Sequence, residues 1–502
     1  MPLSSLISAS PGQCDLAQLT DPALLTDPAP PIDPAPPIDL TLLTDPAPAI
    51  DLTPTQSPVL MIPPGPPITA AEQIPRQSFS VSSVAYFCGL VLRCCTSISA
   101  VPKTLALLFP EQARQGYIPH ATSGRLWLLR LGYFKLHAPL EQADDWVFLA
   151  DHAVEIGKHR FLGLIAIRFA CLPPPGECLQ LSDMRPVALL PVETSTKEVV
   201  SQQLETIVSE TGVVPRAILS DEGSDLAGGI DRFCLAHPET TRHRDMPHMA
   251  ARLLKKRLEK NARWNTFLRQ VTHTKLETAQ TELAFLAPPR MRVKARYMNL
   301  QSMLRWSEKV LAVLDDPSLV APAFCDVDRL RTKFGWLRAY QPDIQRWSSW
   351  LALTDASLDV VRRHGYSSST SQRLEEALSG ISQTADQYLL RNELVEIVQA
   401  ESEKVRAGER IPASTEILES SFGKLKAIEG DQSRSGFTSL ILVWAALFGA
   451  TTAAVIRQAI TEVPVKIVRA WIKKNLGQTV QSKRAKLAHA MRENSTEKPE
   501  EP

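Results

Sequence analysis

The sequence predicts an α/β core that is interrupted by a long helical insertion, and two observations lead to this fold class. First, strand-like apolar runs at 146–151, 161–169 and 187–192 precede an alternation of helical and strand-like segments. Second, residues 263–407 are mostly helical by pattern, and a further core-like segment follows them. This order predicts a layered sheet-and-helix core that carries a large all-α insertion.

The first 75 residues contain an Asp/Pro repeat. Asp recurs every six residues from Asp15 to Asp51, within Thr-Asp-Pro-Ala and Pro-Pro-Ile-Asp units. Dense proline blocks helices and sheet ladders, so residues 1–75 are predicted to be a disordered tail. The tail holds seven Asp, Glu72 and no Lys or Arg, a charge of −8, which leaves +9 for the rest of a chain of net charge +1. A basic body favours a nucleic-acid binder.

Residues 76–143 predict short helices. The clearest runs over 122–132, after a loop, and ends at Gly132 as its C-cap. It carries Arg125 and Arg130, which would contact DNA if this region is an N-terminal helix-turn-helix. A plain helical subdomain explains the pattern equally well.

Residues 144–262 predict the first part of the core. After the three strand-like runs come a helix at 196–210, strands at 214–221 and 240–245, and a helix that starts at Pro247. The order matches a ribonuclease-H-like fold, in which the first and fourth strands are neighbours. We therefore expect Asp151 and Asp221, which end these two strands, to lie side by side.

Residues 408–456 predict the last part of the core and supply a third acid, Glu419, in a helix-like stretch at 413–428. Two strand-end carboxylates and one from a neighbouring helix can hold two Mg²⁺ ions, with Mn²⁺ as a substitute, and this arrangement serves phosphodiester chemistry. Asp151, Asp221 and Glu419 are therefore the predicted catalytic residues and metal ligands. The weaker alternatives are Glu416 for Glu419, and Asp225 and Asp145 for the aspartates.

The stretch 435–456 contains no charged residue and leaves two hypotheses open. As a helix it is long enough to cross a membrane, but its Thr, Ser and Gly residues favour a buried helix packed on the sheet. Beyond it, residues 457–502 are predicted to be a basic helix and a frayed tail, since residues 457–492 carry nine Lys or Arg against Glu462.

Several basic residues are candidate DNA contacts. Lys255 and Lys256 lie on an amphipathic basic helix, Arg292 lies in a basic stretch that ends in an aromatic residue, and Lys426 lies two turns after Glu419. For any one of them a solvated helix face is the ordinary alternative.

The eight cysteines form no C-x-x-C pair, which disfavours a zinc ribbon or a thioredoxin motif and favours reduced thiols in a cytosolic protein. The N-terminus lacks the basic and apolar regions of a secretory signal.

Three segments carry a family resemblance. Asp151–Gly157, Leu219–Leu226 and Glu419–Lys426 resemble, in that order, the catalytic segments of bacterial insertion-sequence transposases of the DDE class. Asp245-Met246-Pro247-His248 looks like an Asp-x-x-His element of members with helical insertions, where His248 would order the active site or contact phosphate. The Asp/Pro tail is unlike the family, and the wide spacing between Asp221 and Glu419 requires the insertion.

The resemblance implies a Mg²⁺-dependent enzyme that cleaves terminal inverted repeats and joins their 3′ ends to target DNA. It also implies a homo-oligomer on double-stranded DNA in the cytoplasm, associated with the nucleoid. Two other hypotheses stay open. One is a catalytically inactive or domesticated DNA-binding derivative, and the other is a protein anchored in a membrane through residues 435–456.

Overall fold

A five-stranded mixed sheet forms the centre of the computed structural model. Its strands are β1 (Trp146–Ile156), β2 (His159–Arg168), β3 (Arg185–Val192), β4 (Ala217–Ser220) and β5 (Thr241–Arg244). The strand order is β3-β2-β1-β4-β5, with β1 antiparallel to β2, β2 antiparallel to β3, and β1, β4 and β5 parallel. The prediction that the first and fourth strands are neighbours is therefore confirmed.

The structure describes residues 73–476 except 76, 157–158, 193, 290–296, 298–299, 321–325, 382–383 and 431–437, together with 487–488. Of residues 153–156 and 159–160 it describes the backbone only. The tail predicted for residues 1–75, apart from 73–75, and most of the predicted basic C-terminal tail lie outside the described residues. The described residues belong to one compact unit that begins at Ile68.

The sheet is buried on both faces because successive side chains of a strand point to opposite sides. In β1, Val147 and Leu149 join one apolar core, whereas Trp146, Phe148 and Ala150 join a second one. This explains why the β1 sequence is an unbroken apolar run rather than an alternating one.

Helices surround the sheet. Those of the described residues are α1 (Val81–Cys94), α2 (Val101–Leu108), α3 (Pro110–Arg114), α4 (Ala121–Leu136), α5 (Lys197–Thr211), α6 (Ser224–Ala236), α7 (Met246–Leu258), α8 (Ala262–Thr278), α9 (Gln301–Asp315), α10 (Val327–Phe334), α11 (Gln341–His364), α12 (Thr370–Ser379), α13 (Ala385–Ser402), α14 (Glu416–Glu429), α15 (Val443–Ala446), α16 (Ala453–Glu462) and α17 (Val465–Leu476). Helices α5 and α6 pack on the face of Phe148, and α4, α14 and α15 belong to the core on the other face. Helices α8 to α13 separate the sheet from α14, as the helical pattern of 263–407 predicts.

Helix α4 lies in the core and does not end at Gly132. A Cβ at Gly132 would lie 2.0 Å from the carbonyl oxygen of Leu442, so glycine permits close packing in mid-helix and the predicted C-cap is wrong. Arg130 is buried, and its guanidinium donates to the carbonyls of Val463 (2.6 Å) and Ile460, near the end of α16. A recognition helix needs an exposed face, so the predicted helix-turn-helix is not confirmed.

The uncharged stretch 435–456 forms, where described, a 3-10 helix (Ser439–Leu442), the short helix α15 and the start of α16, all packed against α4. Its residues from Leu440 to Phe448 are buried, and Lys135 donates to the carbonyl oxygen of Phe448 at 2.6 Å. Within the part of the chain that the structure describes, no helix has both the length and the apolar character to span a membrane. Burial against α4 explains the absence of charge from Leu440 to Phe448.

Candidate functional site

Asp151 and Asp221 lie at the same edge of the sheet. Ala150 and Ser220 are register partners on the parallel strands β1 and β4, and each aspartate is the next residue along its strand direction. The prediction that Asp151 ends its strand is wrong, because β1 continues to Ile156 and Asp151 remains paired with Gly163 of β2. The residues before both aspartates, Ala150 and Ser220, are fully buried.

The Asp221 carboxylate is oriented by the turn that follows it. Its Oδ1 accepts a hydrogen bond from the backbone N of Gly223 at 3.1 Å, just before α6 starts. A local acceptor role of this kind is typical of aspartate in turns.

Helix α14 brings Glu419 to this edge through apolar packing. A Cβ at Gly163 would lie 3.0 Å from the Phe422 ring and 3.3 Å from Trp444, so the missing side chain lets both rings approach β2. These rings are stacked at 5.6 Å, and Trp444 Nε1 donates to Ser421 Oγ at 2.8 Å. Glu419 lies almost one turn before Phe422 on the same helix. We name Asp151, Asp221 and Glu419 the acidic edge.

The three carboxylates act on one another electrostatically. Burial raises the pKa of Asp151 to about 7, and the negative charges of Asp221 and Glu419 add to this effect. Burial also raises the pKa of Glu419, with further contributions from Asp245 and other acids, while His248 opposes the rise. Clustered carboxylates with raised pKa values are typical of a cation site, because a bound cation relieves their repulsion.

The oxygen donors suit Mg²⁺, but the side chains do not converge on a single point. Across the described residues, no three His, Cys, Asp or Glu side chains are grouped closely enough to hold a metal ion. Carboxylates are the ligands that Mg²⁺ prefers, so the chemistry of the set fits the ion although its arrangement here does not surround one. Mg²⁺ binding stays a prediction.

Asp245 and His248 form a second pair beside the acidic edge. Asp245 is buried and caps α7, accepting from the backbone N of His248 at 3.0 Å and contacting its Nδ1. His248 Nε2 lies 3.6 Å from Glu419 Oε1. Burial by itself lowers the pKa of His248, but the bond to Asp245 and the charges of Asp245, Glu419 and Asp221 outweigh it and raise this pKa to about 9. An imidazolium therefore faces the acidic edge at neutral pH.

The alternatives to the three acids differ in position. Glu416 is paired with Arg362, whose Nε donates at 2.7 Å, and Asp145 is bonded to Arg168 at the opposite end of β1. Asp225 lies near Asp221 of the acidic edge. A Cβ built on Gly223 would lie between the two carboxylates, 3.2 Å from Asp221 Oδ1 and 3.3 Å from Asp225 Oδ1. Asp225 is thus the alternative that the geometry leaves open.

The candidate DNA contacts are scattered over several elements. Lys255 and Lys256 are exposed on α7, where they contact Glu259 and Glu393, and Lys426 is exposed on α14. Arg125 is half-buried and donates to Ser439 Oγ at 2.9 Å. The buried guanidinium of Arg130 donates to the carbonyl oxygen of Val463. Arg292 lies outside the described residues. Among the six candidates that the structure describes, His248 lies against Glu419 of the acidic edge.

The bond between Asp245 and Thr415 has no signal in the sequence that identifies its partner. Asp245 Oδ1 accepts from the backbone N of Thr415 at 2.6 Å, which ties the start of α7 to the start of α14 across 170 positions. The sequence signal available was an aspartate followed three residues later by histidine at a helix start, which indicates a cap but does not indicate this partner.

The comparisons with known proteins add no family. No family model matches the chain, and no curated protein matches it. The three catalytic-like segments therefore remain a resemblance, and the case for function rests on the geometry of the acidic edge.

Proposed function

We propose that this protein is a metal-dependent DNA transposase of the DDE class, which nicks the terminal inverted repeats of a mobile element and joins their 3′ ends to target DNA. The observation that carries the proposal is the acidic edge. Asp151 and Asp221 follow register partners on adjacent parallel strands, and the charge of Glu419 from α14 acts on Asp151. The strand order β3-β2-β1-β4-β5 supports a ribonuclease-H-like core.

Each residue has a defined role in this proposal. Asp151, Asp221 and Glu419 would hold Mg²⁺, which when bound would activate a water or a DNA 3′-hydroxyl and stabilise the leaving oxygen. The imidazolium of His248 neutralises part of the acidic edge and contacts the scissile phosphate. Lys255 and Lys256 bind backbone phosphates without reading sequence.

Two observations favour a second candidate, a transposase-derived DNA-binding protein without catalysis. His248 lies against Glu419, and no group of three donors within the described residues is ready to hold a metal. The membrane-anchored alternative has no comparable support, because Leu440 to Phe448 are buried within the fold and α15 is only four residues long.

Cleavage of flanking DNA tests the proposal. Purified protein is incubated with labelled duplexes from the DNA on either side of the gene, with Mg²⁺ or Mn²⁺, and nicking and strand transfer are followed on a denaturing gel. We expect nicking at the ends of inverted repeats, and its loss in Asp151→Asn, Asp221→Asn and Glu419→Gln. Glu416→Gln is the matched control on α14. Intact DNA binding without cleavage would favour the inactive derivative.

A further inference from the structure

We propose that Tyr366 and Glu401, both contributed by the helical segment between β5 and α14, are positioning residues for the acidic edge. They hold the backbone of Arg244, the last residue of β5, from two sides. Their effect on catalysis rests on the proposed function, whereas their effect on the local stability of the site does not. The helical segment thereby becomes part of the site rather than an appendage to it.

Glu401 holds Arg244 from within α13. Its side chain is fully buried, with 0% exposure, and its Oε2 accepts from the backbone N of Arg244 at 3.3 Å. The same carboxylate accepts from the Arg244 side chain and from Lys404 Nζ at 2.9 Å, and it lies 3.1 Å from His243 Nδ1. A buried carboxylate with this many partners has one well-defined position.

Tyr366 holds Arg244 from the other side. Its hydroxyl donates to the carbonyl oxygen of Arg244 at 2.8 Å, and its backbone exchanges two hydrogen bonds with Ile411, at 2.7 and 2.9 Å. Gly365 makes this close pairing possible, because its φ is +60° and a Cβ there would lie 2.4 Å from the carbonyl oxygen of Ile411. Tyr366 thus joins β5 to the segment that leads into α14.

The position of Arg244 determines that of Asp245, the next residue. The backbone N of Asp245 donates to the carbonyl oxygen of Ser220 at 3.0 Å, one residue before Asp221. The carboxylate of Asp245 then bonds Thr415 and His248, which faces Glu419. A shift of the Arg244 backbone would therefore displace Asp245 and, through its bonds, change the positions of both β4 and α14.

Amide hydrogen exchange tests the inference without a substrate. Tyr366→Phe removes one hydroxyl and Glu401→Gln removes one charge. We expect each to speed exchange at least about tenfold in segments 244–249 and 413–419, because a lost buried bond lowers the cost of local opening. Glu393→Gln is the matched control, since Glu393 also lies on α13 and bonds α7 through Arg257, but at a more exposed place. Exchange in both segments is expected to stay unchanged in this control.

Unchanged exchange in Tyr366→Phe and Glu401→Gln would overturn the inference, as would equal acceleration in Glu393→Gln. If Glu401→Gln does not fold, Tyr366→Phe alone decides. Single-turnover cleavage adds a second readout, in which Tyr366→Phe lowers the rate but leaves the Kd for DNA unchanged. If the wild-type protein does not cleave DNA, the proposed function fails while the exchange result still judges the positioning role.

Discussion

Asp245 Oδ1 accepts a hydrogen bond from the backbone N of Thr415 at 2.6 Å, and this bond connects the helix that carries His248 to the helix that carries Glu419. The two helices start 170 positions apart along the chain. One buried carboxylate thereby sets the relative position of two candidate site residues.

Replacing Asp245 with alanine should destabilise the protein strongly. Asp245→Ala leaves the backbone N–H groups of His248 and Thr415 without their acceptor in a buried place, so we expect a loss of roughly 2–4 kcal/mol. Urea denaturation measures this loss. The control is Asp326→Ala, which removes an exposed aspartate cap from α10 and should cost about 1 kcal/mol. Similar losses in the two variants would contradict the bridging role of Asp245.

A methyl group at Gly163 should displace α14. Gly163→Ala places a Cβ 3.0 Å from Phe422 and 3.3 Å from Trp444, so we expect a cost of roughly 1–3 kcal/mol and a drop in any metal-dependent activity. Gly423→Ala on α14 is the matched control, because a Cβ there meets nothing within 4 Å and alanine favours the helix by about 0.5–1 kcal/mol. Thermal unfolding measures both, and equal stability of Gly163→Ala and the wild type would count against this packing.

Glu401 should make stability depend on acid pH. Burial alone raises the pKa of Glu401, but bonds from His243, Lys404 and Arg244 outweigh it and lower this pKa to about 2. Because the folded pKa lies below the ordinary value of 4.5, the stabilisation is present above about pH 4.5 and is lost as the pH falls towards 2. The full effect is about 3 kcal/mol.

Denaturation of the wild type and Glu401→Gln across pH 2–7 measures this dependence. The stability difference between the two should shrink as the pH falls below about 4.5. A difference that stays constant over the whole range would show that the carboxylate charge does not stabilise the fold.

Lys255 and Lys256 should bind DNA phosphates. The double variant Lys255→Ala/Lys256→Ala should weaken binding to all sequences alike and lower the slope of log affinity against log salt by about 2, one for each lost phosphate contact. Fluorescence anisotropy at several salt concentrations measures this slope. An unchanged slope would show that neither lysine contacts a DNA phosphate.

The parts of the fold that follow from local pattern could be predicted. The apolar runs that become β1 and β4 end at Asp151 and Asp221, and strand order then places the two aspartates together. Contacts between distant segments could not be read in this way. Arg130 looks like a basic residue on a short helix, but its burial depends on carbonyl groups of Ile460 and Val463, more than 300 positions away.

The same limit applies to the choice of the third acid. Glu416 and Glu419 lie one turn apart on α14, so their spacing favours neither. Arg362, contributed by the end of α11, pairs with Glu416 and leaves Glu419 to face His248. A choice that depends on a partner from another helix requires the tertiary structure.

Binding of a divalent metal is the sharpest test of a metal site at the acidic edge. Mn²⁺ is titrated into the metal-free protein and free Mn²⁺ is followed by its electron paramagnetic resonance signal. We expect the wild type and Glu416→Gln to deplete free Mn²⁺, and Asp151→Asn, Asp221→Asn and Glu419→Gln each to bind it at least about tenfold more weakly. Equal Mn²⁺ binding by the wild type and the three variants, or none by any of them, would contradict a metal site at the acidic edge.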